Sequence, residues 1–331
     1  MIKVIIETKR DTTMDLIERD HTTEIAQRLA SFSRNAHGAL SPNTERALRA
    51  DIRVFSLWCA QNGLQALPAT PETVASFIDE IGAQKKPATL RRYVSSISTF
   101  HRAAGLESPS GAQVVRLALK RQARSRGTRQ RQAAPLTRRH VDQILGASGT
   151  TLTDRRNKAL IAVAYDTLAR RSELVALNVS DFEPSEDGSG TVMINRSKAD
   201  QDGLGQARYI AADTMTLVRA WLDAADITDG PIFRRMHRGA RVSDKRLSAG
   251  SVATIFRQLA KRAGLDPRAI SGHSSRVGAA QDAIAAGLEM PMVMQMGGWK
   301  SPSMVARYSE RLLASRSGSA KLAAMQGRTA D

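Results

Sequence analysis

The chain has 331 residues and a formal charge of +17, from 49 Lys and Arg against 32 Asp and Glu. Such an excess marks a polyphosphate partner, and the length exceeds what one compact core usually holds, so two domains are expected. No run of eighteen apolar residues exists, which excludes a membrane-spanning helix. The apolar stretch from Val4 to Ile6 is cut off by Glu7 and Lys9, so the N-terminus does not read as a signal peptide. A single cysteine, Cys59, allows no internal disulfide and fits a reducing cytoplasm.

In chain order, residues 1–36 read as a flexible N-terminal extension. From Thr44 to Cys59, Leu48, Ile52, Phe55 and Cys59 recur at helical spacing, with Asn43 as the candidate N-cap. Pro71 to Ile81 repeats the pattern with Val74, Phe77, Ile78 and Ile81, capped by Thr70. After Pro87 come Leu90, Tyr93, Val94, Ile97 and Phe100. Residues 37–120 are therefore expected to form a small helical domain, to which the basic excess of the chain assigns DNA binding. Arg91 and Arg92, on the helix after Pro87, are its candidate DNA contacts. Residues 121–134 hold five arginines and no apolar period, which predicts a basic linker with Arg121 and Arg124 facing DNA.

Residues 135–331 read as a second domain. Thr137 caps a helix through Ile144 and Leu145, and a longer helix starts near Asp154. Val192 and Ile194 alternate with polar residues, a turn-rich SKADQDGLGQ follows, and ARYI closes a β-hairpin. Helices resume at Asp213, from Ser251 to Ala263, and from Ser274. Near the end, Leu312 and Leu313 and then Leu322 to Met325 are apolar, broken by Ser317, Gly318 and Ser319. The fold expected is mainly α: an N-terminal helical domain, then a C-terminal mixed α/β domain with a small sheet and a tail helix.

The chemistry concentrates in SGHSSRVGAA and MQMGGWKSPSMVARY. His273 and Arg276 lie one helical turn apart. Trp299 follows a Gly297-Gly298 turn, and Tyr308 comes nine residues later. Imidazole, guanidinium and indole N–H groups donate to phosphate oxygens, and a phenol can attack phosphorus. Upstream, Arg170 and Glu173 sit three apart, which on a helix puts both on one face, so the carboxylate can orient the guanidinium. Lys198 lies at the start of the hairpin loop, where an ammonium with a lowered pKa can serve as general acid. Each alone has an ordinary reading: a surface ion pair, a solvated turn lysine, a core tryptophan. Their joint occurrence in this order is the specific signal.

This set resembles the tyrosine recombinase/integrase family, whose boxes it follows over some 140 residues. The resemblance implies that Tyr308 is the nucleophile, with Arg170, Arg276, His273 and Trp299 on the non-bridging oxygens. Glu173 then orients Arg170, and Lys198 protonates the departing 5′ oxygen. Arg171, where the family usually has an apolar residue, stands as a less favoured substitute for Arg170. A base-reading arginine of the family has Gly250 at its place here, which implies a different recognition sequence. The resemblance also implies no metal and no cofactor. Its partner is double-stranded DNA with inverted-repeat half-sites, bound by a homo-tetramer on two sites that works through a Holliday junction. Two alternatives remain open: a type IB topoisomerase or telomere resolvase, and a non-catalytic basic DNA-binding regulator. No phosphate-binding glycine loop, zinc-ligand spacing or Ser-His-Asp context competes.

Overall fold

A computed structural model gives the structure of the chain and describes residues 14–129, 132–195, 205–237, 239 and 241–328. Two compact units divide between Gln130 and Arg131. Among the described residues, no helix is long and apolar enough to cross a membrane.

The described residues of the first unit form the α-helices α1 (Met14–Ala36), α2 (Pro42–Gln61), α3 (Pro71–Gly82), α4 (Pro87–Ala103) and α5 (Gln113–Arg126). Apolar residues at helical spacing bury one stripe of each of α2 to α4. Phe77 lies at the centre, its ring 5.1 Å from Phe55, 5.3 Å from Trp58 and 5.7 Å from Tyr93. Such aromatic pairs contribute about 0.5–1.5 kcal/mol each beyond area burial. Cys59 is fully buried among them, and desolvation pushes its thiol up to about 11, so it is an inert core residue. Thr70 caps α3 by accepting from Thr73 N–H. The cap of α2 differs from expectation: Ser41, not Asn43, accepts from Thr44 N–H, because Pro42 occupies the first turn. Asn43 instead accepts from Arg46.

Two further segments differ from the sequence reading. Residues 14–36 of the expected extension form α1, which packs against α4. Residues 121–126 of the expected linker continue α5 to Arg126, ending at Gly127 with φ +68°. Only Val115 and Ala118 of α5 are buried, so its later turns carry no apolar stripe for a period to reveal. They are held instead by polar bonds. Arg121 pairs with Asp79, and Arg126 donates to the carbonyls of Gly82 and Lys85.

The second unit is mixed. Helices α6 (Arg138–Gly146), α7 (Leu152–Asp166) and α8 (Arg171–Ala176) precede strands β1 (Phe182–Pro184), β2 (Gly190–Ile194) and β3 (Gln206–Ile210). Then come α9 (Ala212–Ala224), β4 (Arg234–Met236), β5 (Val242–Arg246), α10 (Ala249–Arg262), α11 (Ser274–Ala285), α12 (Met290–Gly297), α13 (Pro302–Ser315) and α14 (Gly318–Met325). The β2–β3 hairpin is antiparallel, with Val192 opposite Arg208, and β1 adds to its edge. The β4–β5 pair has a register irregularity between Arg234 and Met236. Thr137 and Thr151 cap α6 and α7.

Helix α7 packs against both α9 and α11. Its Leu160, Ile161 and Val163 join Trp221, Phe233 and Phe256 in the larger core. A smaller cluster joins Leu168, Ala279, Ala280, Ala283, Val293, Trp299 and Val305, tying α11, α12 and α13 to the turn after α7. That cluster supports the site.

Candidate active site

Four segments of the second unit converge. The first is the turn between α7 and α8. Leu168 is fully buried at φ +51°, a left-handed conformation that costs an L-residue about 1–2 kcal/mol. Two residues later Arg170 is the N-cap of α8, rather than a residue inside a helix shared with Glu173 as the spacing suggested. The pairing survives in another form. Glu173 Oε1 accepts from Arg170 Nη1 at 2.7 Å and Oε2 accepts from the Arg170 backbone N–H at 2.8 Å. Glu173 is 3% exposed, so its carboxylate is shielded from solvent.

The second segment is the start of α11. His273 is its N-cap and Arg276 lies in its first turn. Arg276 is 2% exposed; Nη1 donates to Leu168 O and Nη2 to Gly297 O at 2.7 Å. Burial, then the nearby charge of Arg170, lowers its guanidinium to about 10. His273 opens onto solvent. Desolvation by the surrounding chain, then the charges of Arg171, Arg276 and Arg170, lower its pKa below the ordinary imidazole value. That shift favours the neutral imidazole, which has one N–H to donate.

The third segment is the Gly297-Gly298-Trp299 turn. Gly298 takes the left-handed conformation (φ +61°, ψ +46°) that ends α12. A Cβ on Gly297 would sit 2.0 Å from Trp299 Cζ3, so only glycine lets the indole fold back over the helix end. The Arg276 guanidinium stacks over that indole, with Cζ 4.0 Å from the ring centroid. The fourth segment, α13, sets Tyr308 edge-on to Trp299, with centroids 5.9 Å apart. Gln281 and Gln132 both donate to the Tyr308 carbonyl, at 2.8 and 3.2 Å, fixing α13 on α11.

Arg170, Glu173, His273, Arg276, Trp299 and Tyr308 thus share one site. Lys198 lies outside the described residues. Sequence reasoning missed one member, Arg208 on β3, which is 4% exposed. Its Nη1 donates to Thr167 O at 2.6 Å and to Met296 O, and its Nη2 donates to Gln206 Oε1 at 3.0 Å. Burial lowers its guanidinium to about 10. Period-two alternation held the signal: Arg208 shares the inward face of β3 with buried Ile210, while Tyr209 points out.

Among the described residues, neither Arg208 nor Arg276 has a carboxylate within ion-pair distance; Glu173 pairs with Arg170. Buried cations without a paired carboxylate are costly, and a cluster of them prepares a seat for an anion. The arginines expected to face DNA divide differently. Arg91 and Arg124 are exposed. Arg92 is pinned at 2.8 Å to Asp51, which is 2% exposed and also held by Ser96, and Arg121 is engaged by Asp79.

Residues 135–313 match the phage integrase family, and residues 35–108 match the N-terminal SAM-like domain of phage integrases. An integrase/recombinase xerD homolog of Selenomonas ruminantium is 34% identical over 279 residues, covering 81% of this chain and 82% of that protein. Recombinase cre of Escherichia phage P1 is 28% identical over 308 residues, covering 87% of this chain and 90% of that protein. In fold, the chain is similar to the Tn1549 transposon integrase solved with transposon right-end DNA. That likeness has a TM-score of 0.61 at 12% identity, over 86% of this chain and 94% of the integrase chain. The chain belongs to the phage integrase family, the tyrosine recombinases.

Proposed function

We propose that this site-specific recombinase cuts DNA by attack of the Tyr308 phenol oxygen on the scissile phosphorus. The new bond joins tyrosine to a 3′-phosphate. The phenol proton is released to water, the bond to the 5′ oxygen breaks, and that oxygen takes a proton from Lys198 and leaves as a hydroxyl. Arg170, Arg276, His273 and Trp299 stabilise the charge on the non-bridging oxygens, a contribution of several kcal/mol per well-placed donor. Glu173 orients Arg170, and Lys198 is the general acid. Attack by the 5′-hydroxyl of a partner duplex reverses the chemistry and exchanges the strands. The bond energy is kept in the phosphotyrosine, so this cycle calls for no ATP. The observation that carries the reading is the Arg276–Trp299–Tyr308 stack: a buried guanidinium with no carboxylate partner among the described residues, one ring away from a phenol.

The partner in this reading is duplex DNA with inverted-repeat half-sites, engaged by four protomers on two sites in the cytoplasm. A nicked suicide substrate tests the chemistry. Wild-type protein is expected to form an adduct that survives denaturing electrophoresis, while Tyr308→Phe binds the half-site and forms none. Adducts at the wild-type rate from Tyr308→Phe would remove Tyr308 from the nucleophile role.

A further inference from the structure

Two buried guanidiniums bridge the same two stretches of chain. Arg276 joins Leu168 O to Gly297 O, and Arg208 joins Thr167 O to Met296 O, one residue earlier on each side. The first stretch is the strained turn that leads into Arg170. The second is the helix end that leads into Trp299. Hydrogen bonds from a charged donor are stronger than neutral ones, and together they offset the cost of the left-handed Leu168. Gly298 belongs to the same device, because a Cβ there would lie 2.6 Å from Arg208 Nη2. The Gln206 side chain closes it, accepting from Arg208 Nη2 and donating to Gln295 O at 2.8 Å.

We propose that Arg208 is a positioning residue for strand cleavage, holding the Thr167–Leu168 turn and the Met296–Gly297 helix end at a fixed separation. Arg170 and Trp299 then reach one phosphate together. The inference rests on the site reading given above. Arg208 serves geometry through two carbonyls, and its cation adds to the field at the site. Loss of the Nη1 bridge between the two carbonyls lets the turns separate, and misplacement of a donor by about 1 Å costs on the order of 100-fold in rate.

The test measures half-site affinity, melting temperature and the rate of suicide-substrate cleavage at saturating DNA for the full chain. Arg208→Met is expected to lower the cleavage rate about 100-fold while affinity stays within about threefold of wild type. Arg208→Lys, which supplies charge without the planar fork, is expected to fall between them. A folded Arg208→Met cleaving at the wild-type rate overturns the proposal, as does a rate loss that disappears once DNA is saturating. Should Arg208→Met fail to fold, Arg208→Lys and Gln206→Ala decide. Reduced cleavage at unchanged affinity supports the proposal, and wild-type rates in both overturn it. Tyr308→Phe is run alongside. Adducts from that variant would overturn the site reading itself, a failure distinct from an Arg208 variant with unaltered cleavage.

Discussion

The Glu173 carboxylate holds Arg170 twice, through its guanidinium at 2.7 Å and its backbone N–H at 2.8 Å. One side chain thereby fixes both where the arginine begins and where it points. Glu173→Gln keeps one carbonyl oxygen and replaces the other with a donor, so only one of the two bonds can remain. Loss of a charge-assisted bond costs about 1.5–3 kcal/mol, which corresponds to a roughly 10- to 100-fold slower cleavage step. Single-turnover cleavage at saturating DNA measures this, and a wild-type rate would show that Arg170 needs no second anchor.

Arg171 lowers the His273 pKa more than any other charged neighbour does, second only to desolvation. Its side chain lies against Gly272, where an added Cβ would be 2.1 Å from Arg171 Cδ. Removing a positive charge favours the imidazolium, so Arg171→Ala is expected to raise the His273 pKa and Arg171→Lys to leave it nearly unchanged. Titration of the His273 ring protons by NMR reads the shift directly. A fall in pKa, or no change in Arg171→Ala, would contradict it.

Arg91 and Arg92 are neighbours in sequence with different surroundings. Arg92→Ala leaves the buried Asp51 carboxylate with Ser96 alone, so its main effect is expected as a lower melting temperature of the helical unit. Arg91→Ala is expected to leave stability unchanged and to reduce the slope of log affinity for DNA against log salt by about one unit. Calorimetry and binding titrations at several salt concentrations separate the two outcomes. Equal behaviour in both assays would mean the Asp51 pair does not matter.

The tail makes a fourth prediction. Helix α14 buries none of its residues, and Leu322 and Met325 are 54% and 86% exposed. A helix of that length is unstable alone in water and needs a surface for its apolar side. A chain truncated after Ser319 is expected to bind one half-site normally but to lose cooperative binding of the second, as a helix packing on a neighbouring protomer requires. A gel-shift titration of the truncated chain with undiminished cooperativity would place α14 on its own protomer instead.

Much of this architecture was legible because burial writes a period into sequence. Phe77 and Ile78, or Val192 and Ile194, repeat at intervals set by helix and strand geometry. Segments held by polar bonds carry no such period: the later turns of α5 read as a linker, and the charged β4–β5 pair left no alternation to find. The site residues were legible by type and spacing, yet their geometry was not. Arg170 and His273 are helix caps, and the reason Trp299 follows two glycines appears only when its ring is seen over Gly297. Arg208 was hidden for a third reason. An arginine in a short strand is ordinarily solvated, and only the parity it shares with Ile210 marks it as buried.

The guanidiniums of Arg208 and Arg276, buried without a carboxylate partner among the described residues, also bear on thermodynamics. A site that concentrates desolvated positive charge makes the free protein less stable than the same fold around a bound anion. The apo state and the DNA complex are therefore linked. Ligand at 100 times its Kd adds about 2.7 kcal/mol to the folded state, whatever atoms provide the affinity. Melting temperature should accordingly rise with the concentration of cognate half-site.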